Sequence, residues 1–359
     1  MLKSMGPQQS FDIIVLGAGV VGLATALELS RRGAKVLLLE RDRPLTQASS
    51  AAAGMLAVAD PHNPGSLLPL SRYSASLYPA FLQRIQALSS LPVPIQTQRT
   101  LQTFDDGHQE LLHEHSLDPR MLGIALLEAV HRSNITLRNH AEFRYVRELP
   151  RGEQAVLLNG ERIHAKRFLL ATGAWGLPEP MRSPLGYTQP NPIAPSKGQM
   201  LRVALPPSLL GLDTVHRRGS LYIVPRTQGP QAGSALLGAT VEDAGFDTTV
   251  HAEDLAALRA QAAELLPAFA GESLSPTLES WAGLRPATAD GLPLLGNLYP
   301  DGPLCALGAG RNGILLTPAI AAITADILEG KPAAVDLTPF APQRLPLFKQ
   351  SAAHAGLPK

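Results

Sequence analysis

The apolar run Phe11–Leu16 passes straight into Gly17-Ala-Gly19-Val-Val-Gly22, and from Leu23 to Arg32 the chain has helical composition until Gly33 ends it. A second apolar run, Lys35–Leu39, stops at Glu40, about 20 residues beyond the glycines, where a dinucleotide-binding unit places its acidic residue. Strand, glycine turn, helix and strand in this order make a parallel βαβ unit and commit the fold to the α/β class. The glycines serve a tight turn, close approach of backbone to a pyrophosphate at a helix N-terminus, and close packing of helix on strand. Glu40 can accept both hydroxyls of a ribose, and an acid there speaks against a 2′-phosphate, hence against NADP.

At 359 residues the chain has room for about two domains at roughly 150 residues each. Hydrophobic residues make up 45% and charged residues 17%, the balance of a globular protein and not of a disordered one. A net charge of +1 with no run of like charges leaves no electrostatic footprint for nucleic acid or an anionic membrane. The single Cys305 excludes an intramolecular disulfide and fits a reducing compartment. Met1–Ser10 lacks the basic-then-apolar order of a secretory signal, and the most apolar stretch, Gly308–Leu328, is interrupted by Arg311, Asn312 and Asp326. These features predict a soluble, cytoplasmic protein with no membrane partner.

Asp118-Pro119 suits the start of a helix over Met121–Arg132, and Asn159-Gly160 between Gln154–Leu158 and Glu161–Ala165 is a strong hairpin signal. Arg167–Ala171 reads as a buried strand that turns at Thr172-Gly173, with shorter strands at Ile135–Leu137 and Phe143–Val146. Seven prolines between Leu177 and Pro207, Pro180, Pro184 and Pro190 among them, predict a crossing between domains. Beyond it, Leu221–Pro225 and Ala235–Ala239 read as paired strands and Glu253–Leu266 as an amphipathic helix. The strand Leu304–Leu307, Gly308-Ala-Gly310 and a helix over Leu316–Glu329 then repeat the opening grammar.

The tiny side chains of Ala48-Ser49-Ser50-Ala51-Ala52-Ala53-Gly54-Met55 make a poor core but a surface that a flat ring system can approach; on composition alone they could equally be a loop. Taken with Glu40, this segment resembles the flavin-binding segment of the D-amino-acid oxidase superfamily, most closely its glycine oxidase branch. The likeness recurs in order at Ala171-Thr-Gly-Ala-Trp175, Lys197-Gly-Gln199, Tyr222-Ile-Val-Pro-Arg226, Gly238-Ala-Thr240, Trp281–Gly291 and Gly308–Leu315. It spans roughly residues 11 to 330.

The resemblance implies a Rossmann-like FAD-binding domain from residues 11–92, 118–190 and 281–335. A substrate-binding domain on a mixed, largely antiparallel sheet would take residues 93–117 and 191–280, with 336–359 as a tail. FAD would lie along Gly17, Gly19, Val20, Val21 and Gly22, with its adenosine at Glu40, Arg41 and Phe143, the last in place of the family's small aliphatic residue. Ala48, Ser49, Ser50, Ala53, Gly54 and Met55 would meet the flavin ring, as would Thr172 and Gly173. The helix start from Gly310 through Arg311, Asn312, Gly313, Ile314 and Leu315 would face its electron-rich edge. Related sarcosine oxidases attach flavin through a cysteine near the segment matching Gly283–Arg285; none lies there, so the FAD is expected to be non-covalent.

An α-amino acid brings a carboxylate into a water-poor site, and a planar arginine fork is its best buried partner. By resemblance Arg285 is that arginine, Tyr222 supports it and Arg311 is a second arginine of the active site. The implied reaction is oxidative deamination of glycine or another small amino acid or amine to an oxo acid, ammonia and hydrogen peroxide. Dioxygen would be the acceptor and the imine would feed thiazole synthesis for thiamine. The chain departs from the branch at Ser220, where a histidine is usual, at Val241, where a methionine is usual, and in its short Pro94–Asp118 interval.

Two other functions stay open at this point: a dehydrogenase handing electrons to a quinone or protein acceptor, and an oxidase-like flavin module acting on a modified RNA base. Oligomeric state is also open. His113 and His115 read as a solvated segment with no third ligand in view, so no metal site is expected, and Cys305 reads as a packed thiol.

Overall fold

The computed structural model describes residues 10–149, 152–157, 159–178, 191–270, 273–300 and 302–349. Pro180, Pro184 and Pro190 of the expected domain crossing, the first nine residues and tail residues 350–359 lie outside the described residues. Two large sheets organise the chain. In the first, Ser10–Leu16 pairs in parallel with Val36–Leu39 on one side and Arg162–Leu170 on the other. Thr136–Arg138 and Leu304–Leu307 extend it in parallel, and Leu294–Asn297 closes one edge antiparallel. Gly152–Leu157 folds back on Arg162–Leu170 around the Asn159-Gly160 turn, as its hairpin signal requires.

Helices cover one face of this sheet. Val20–Arg31 starts three residues earlier than its composition suggests, because valine is accommodated at a helix start whose Gly19 cap is extended. The Asp118 carboxylate accepts from Arg120 N and caps Pro119–His131. Gly313–Leu328 packs against Val20–Arg31 on one side and Leu68–Ser89 on the other. By length and composition Gly310–Leu328 could cross a membrane, but 67% of that window is buried inside the fold, and core packing accounts for its apolarity.

Pro318 lies inside the Gly313–Leu328 helix and cannot donate to the carbonyl of Ile314 four residues back. Leu68–Ser89 repairs the gap: the Tyr78 hydroxyl donates to Ile314 O at 2.5 Å. Ser74 Oγ donates to Leu315 O at 2.6 Å and accepts from Ala319 N at 3.2 Å. The first turn of the core helix is thereby fixed from a neighbouring helix, one turn of which presents both hydroxyls.

The second sheet has seven strands in the order Thr277–Ala287, Ala194–Ala204, Ser234–Gly238, Leu221–Arg226, Thr214–Arg218, Arg99–Thr103 and Gln109–Leu112. All neighbours are antiparallel except Thr214–Arg218 against Arg99–Thr103. Alternation decides its two faces. Leu201, Val203, Leu221, Ile223, Ala235 and Leu237 turn one way and bury against Leu258 and Ala262 of the helix Ala252–Leu265 and Phe269 of the turn after it. Met200, Tyr222, Gly238, Trp281, Gly283 and Arg285 fall on the opposite face, toward the first sheet. A small third sheet joins Met55–Leu56, His115–Leu117 and Ile95–Thr97, so the short interval before Asp118 contributes strands to two sheets.

Candidate active site

Between the two sheets lies a cavity of about 380 Å³. Gly19, Val20, Val21, Ala48, Ser49, Ala53, Gly54 and Met55 line it from the first sheet's side, with Gly173 and the loop Gly310–Ile314. Ser196, Gly198, Met200, Ser220, Tyr222, Gly283 and Arg285 line it from the second. The remaining residues expected at the cofactor sit behind this surface or beside it. Gly17 and Gly22 are spent on packing: a Cβ on Gly22 would stand 1.9 Å from Gly17 O, and one on Gly17 2.4 Å from Ala171 O. Leu315 is fully buried in the helix core. Ser50 Oγ donates to Gln47 O and Thr172 Oγ1 to Gly176 O. Arg41 lies over the Trp175 ring at 4.4 Å, and Phe143 packs at the edge of the hydrophobic cluster under the first sheet.

The nucleotide end fits the group its sequence calls for. Glu40 Oε2 accepts from Ala18 N at 2.8 Å and Oε1 from Asp42 N at 2.9 Å, which holds the carboxylate beside the glycine turn. Gly19 gives its helix no side-chain cap; Val20 N is met instead by Ser49 Oγ at 3.0 Å, and the helix start opens on the cavity. Further along, the small-residue segment is anchored through its carbonyls from the helix Pro119–His131 and from the second sheet. Arg120 Nε donates to Ser50 O, Trp281 Nε1 to Ala51 O and Arg226 Nη2 to Ala53 O, at 3.2, 3.1 and 2.9 Å. Arg120 is itself fixed by two bonds to Glu279 and by stacking over Trp281. A Cβ on Gly283 would meet Ala51 Cβ at 2.5 Å, so the sheet and the segment touch with nothing to spare.

The opposite end of the cavity is built on strand register. Ser196 opposes Arg285 and Gly198 opposes Gly283, which lets the Arg285 side chain lie across Gly198; a Cβ there would fall 2.3 Å from Nη2. Arg285 Nη1 donates to Lys197 O and Thr240 O, both at 3.2 Å. Burial pushes the Tyr222 hydroxyl above its usual pKa against the pull of Arg285, so it stays a neutral donor. In Lys197-Gly-Gln199 the outer residues face away from the cavity: Lys197 Nζ pairs with Glu242 Oε2 at 3.2 Å, and Gln199 Oε1 accepts from His251 N at 2.7 Å. The motif is a flat floor for Arg285 held between two anchors.

Arg311 reaches back across the cavity, its Nη2 2.9 Å from Asp60 Oδ1 and 3.2 Å from Asn63 Oδ1. Asp60 and Arg217, both on the cavity wall, were not indicated by any motif. A signal for Arg217 did exist: Gly219-Ser220 is a two-residue hairpin loop with glycine first, and such a loop pairs Arg217 with Tyr222. Cys305 is buried, its thiol pushed well above the usual range by desolvation, and His113 and His115 are exposed on either side of the buried Glu114.

The FAD dependent oxidoreductase family matches residues 12–116 and 102–327 of this chain. Glycine oxidase of Pseudomonas aeruginosa is 31% identical over 371 residues, which cover 92% of this chain and 98% of that protein. The bifunctional protein ThiO/ThiG of Trichormus variabilis is also 31% identical, over 88% of this chain and 52% of its own longer length. The crystal structure of glycine oxidase from Geobacillus kaustophilus superposes with a TM-score of 0.84 at 26% identity, over 94% of this chain and 99% of that one. With the glycine turn, the anchored small-residue segment and an arginine over a glycine floor meeting in one cavity, the chain belongs to the FAD dependent oxidoreductase family and is an FAD-dependent amino-acid oxidoreductase.

Proposed function

We propose that the protein oxidises glycine or another small amino acid or N-methyl amine. The amine loses a hydride from Cα and a proton from nitrogen, and water hydrolyses the resulting imine to the oxo acid and ammonia. The electron pair passes to dioxygen, which leaves as hydrogen peroxide. Bound FAD supplies the hydride acceptor and the route to oxygen. The chain's own groups supply alignment and charge. Arg285 holds the substrate carboxylate in a fork, Tyr222 donates beside it, and Arg311, tied to Asp60, adds positive potential from the facing loop. In this reading the sheet that contains Ser10–Leu16 is the cofactor half and the seven-stranded sheet the substrate half.

The observation that carries it is the Arg285 guanidinium lying across Gly198 in the cavity that the dinucleotide turn also lines. The names borne by the relatives support glycine as the substrate, and the ThiO/ThiG relative supports a place in thiamine biosynthesis. A cytoplasmic setting accords with the lone buried cysteine, and non-covalent FAD with that cysteine's position inside a core strand. The test is aerobic turnover of glycine, sarcosine and D-alanine with oxo acid, released amine or ammonia, and peroxide measured together. One equivalent of each per dioxygen consumed is expected. Turnover with an artificial acceptor but no peroxide would refute the oxidase assignment.

A further inference from the structure

The proposed reaction uses two of the three arginines around the amino-acid end of the cavity, and Arg217 is left over. Thr214–Arg218 pairs with Leu221–Arg226 so that Arg217 stands opposite Tyr222, on the cavity face of the sheet and four strands away from the strand of Arg285. Its side chain is 2% exposed and lines the cavity. Nε donates to Gln102 Oε1 at 2.5 Å. Nη1 lies 3.3 Å from Glu114 Oε2 and 3.5 Å from Asp60 Oδ2 without making a hydrogen bond to either, and Nη2 has no hydrogen-bond partner among the described residues. Buried donors left unpaired are costly, and a cavity wall that keeps them is suited to an acceptor.

Charge points the same way. Burial pushes Asp60 upward, but Arg217 and Arg311 overcome it and hold the carboxyl below its usual range, so Asp60 is one firm anion shared by two guanidiniums. Burial pushes Glu114 upward as well, and there it outweighs the pull of Arg217. Asp60 is shared with Arg311, so a carboxylate held by Arg285 leaves Nη2 of Arg217 without an acceptor. Ser220, which is small, and Val241, which is 69% exposed, also line the cavity.

We propose that Arg217 forms a second anion subsite, so that the enzyme accepts amines with two carboxylates, one held by Arg285 and the other by Arg217. This rests on the amino-acid oxidase reading of the cavity. The experiment uses the FAD-loaded protein in two assays. In the first, malonate and succinate are titrated against acetate and propionate as dead-end ligands, read by perturbation of the flavin absorbance. Dicarboxylates are expected to bind at least about tenfold more tightly, the effect of roughly one charge-assisted contact. In the second, kcat/KM for D-aspartate and D-glutamate is compared with that for D-alanine and D-2-aminobutyrate. The dicarboxylate-to-monocarboxylate ratio should fall at least about tenfold in Arg217→Met and recover in part in Arg217→Lys.

Equal binding of mono- and dicarboxylates by the wild-type protein overturns the proposal. So does an Arg217→Met protein that loses both substrate classes by the same factor, which would make the arginine a structural tie between Gln102 and the Asp60 loop. If Arg217→Met does not fold, the wild-type titration decides alone. Should no amine of either class reduce the flavin, the oxidase reading fails, while the ligand titration still decides the subsite.

Discussion

The two ends of one cavity are made in opposite ways. At the nucleotide end the working residues are neighbours in sequence: Gly17, Gly19 and Gly22 turn the chain, and Glu40 returns over them at the end of the next strand. At the other end Arg285, Gly198, Tyr222 and Arg217, which would meet the amino acid in the proposed reading, come from four strands, gathered by hydrogen-bond register across a seven-stranded sheet. Local chemistry fixes the first end, and pairing fixes the second. A one-residue slip would leave the glycine turn untouched but would send Tyr222 to the face where Leu221 and Ile223 are buried.

That contrast breaks most visibly at Gly22. Its Cβ would enter the Gly17 carbonyl, so Gly22→Val should abolish FAD binding, read as loss of the yellow colour in otherwise soluble protein. Normal flavin content in that variant would remove the turn from the nucleotide site. Next in size is Arg285→Ala, which leaves the other end without its fork. The loss of about 2–5 kcal/mol corresponds to a fall in kcat/KM of roughly 30-fold to several-thousand-fold, with FAD content unchanged. Lysine should restore part of it, since a point charge cannot reproduce the bidentate contact.

Gly198→Ala sharpens the comparison, because it moves Arg285 without removing it. A methyl group 2.3 Å from Nη2 must displace the guanidinium, and a shift of about 1 Å can cost on the order of 100-fold. Steady-state kinetics should show the loss chiefly in KM, and an unchanged KM would mean that the floor is not shaped for Arg285. The smallest effect belongs to Tyr78→Phe. Ile314 O would lose the hydroxyl that stands in for the N–H missing at Pro318, at a cost of about 1–3 kcal/mol in denaturant unfolding. An unchanged unfolding midpoint would show that the carbonyl finds another donor.

The same contrast explains what could be read from the chain before its structure. The βαβ unit, the Asp118 cap and the Asn159-Gly160 hairpin are local patterns and emerge where their residues place them. Arg285 and Tyr222 were reachable through resemblance, and the pairing of Arg217 with Tyr222 through the glycine-first hairpin loop, but nothing local showed that Gly198 lies beneath Arg285. Asp60 carries no motif at all; its partners are about 160 and 250 positions away in sequence, and only the folded sheets bring them together. The helix expected from Leu316 starts three residues earlier, at Gly313, and the hydroxyls of Tyr78 and Ser74 that serve its first turn come from a helix more than 200 positions away in sequence.

The central claim is that the cavity reads a carboxylate next to the carbon to be oxidised. Anaerobic titration of the wild-type yellow protein with glycine and with methylamine, which differs only in lacking that carboxylate, tests it most directly. Glycine should bleach the flavin with an efficiency at least about 30-fold higher, the lower bound set by losing a buried arginine–carboxylate contact. Equal bleaching by methylamine would contradict the account and leave Arg285 without a substrate group to hold.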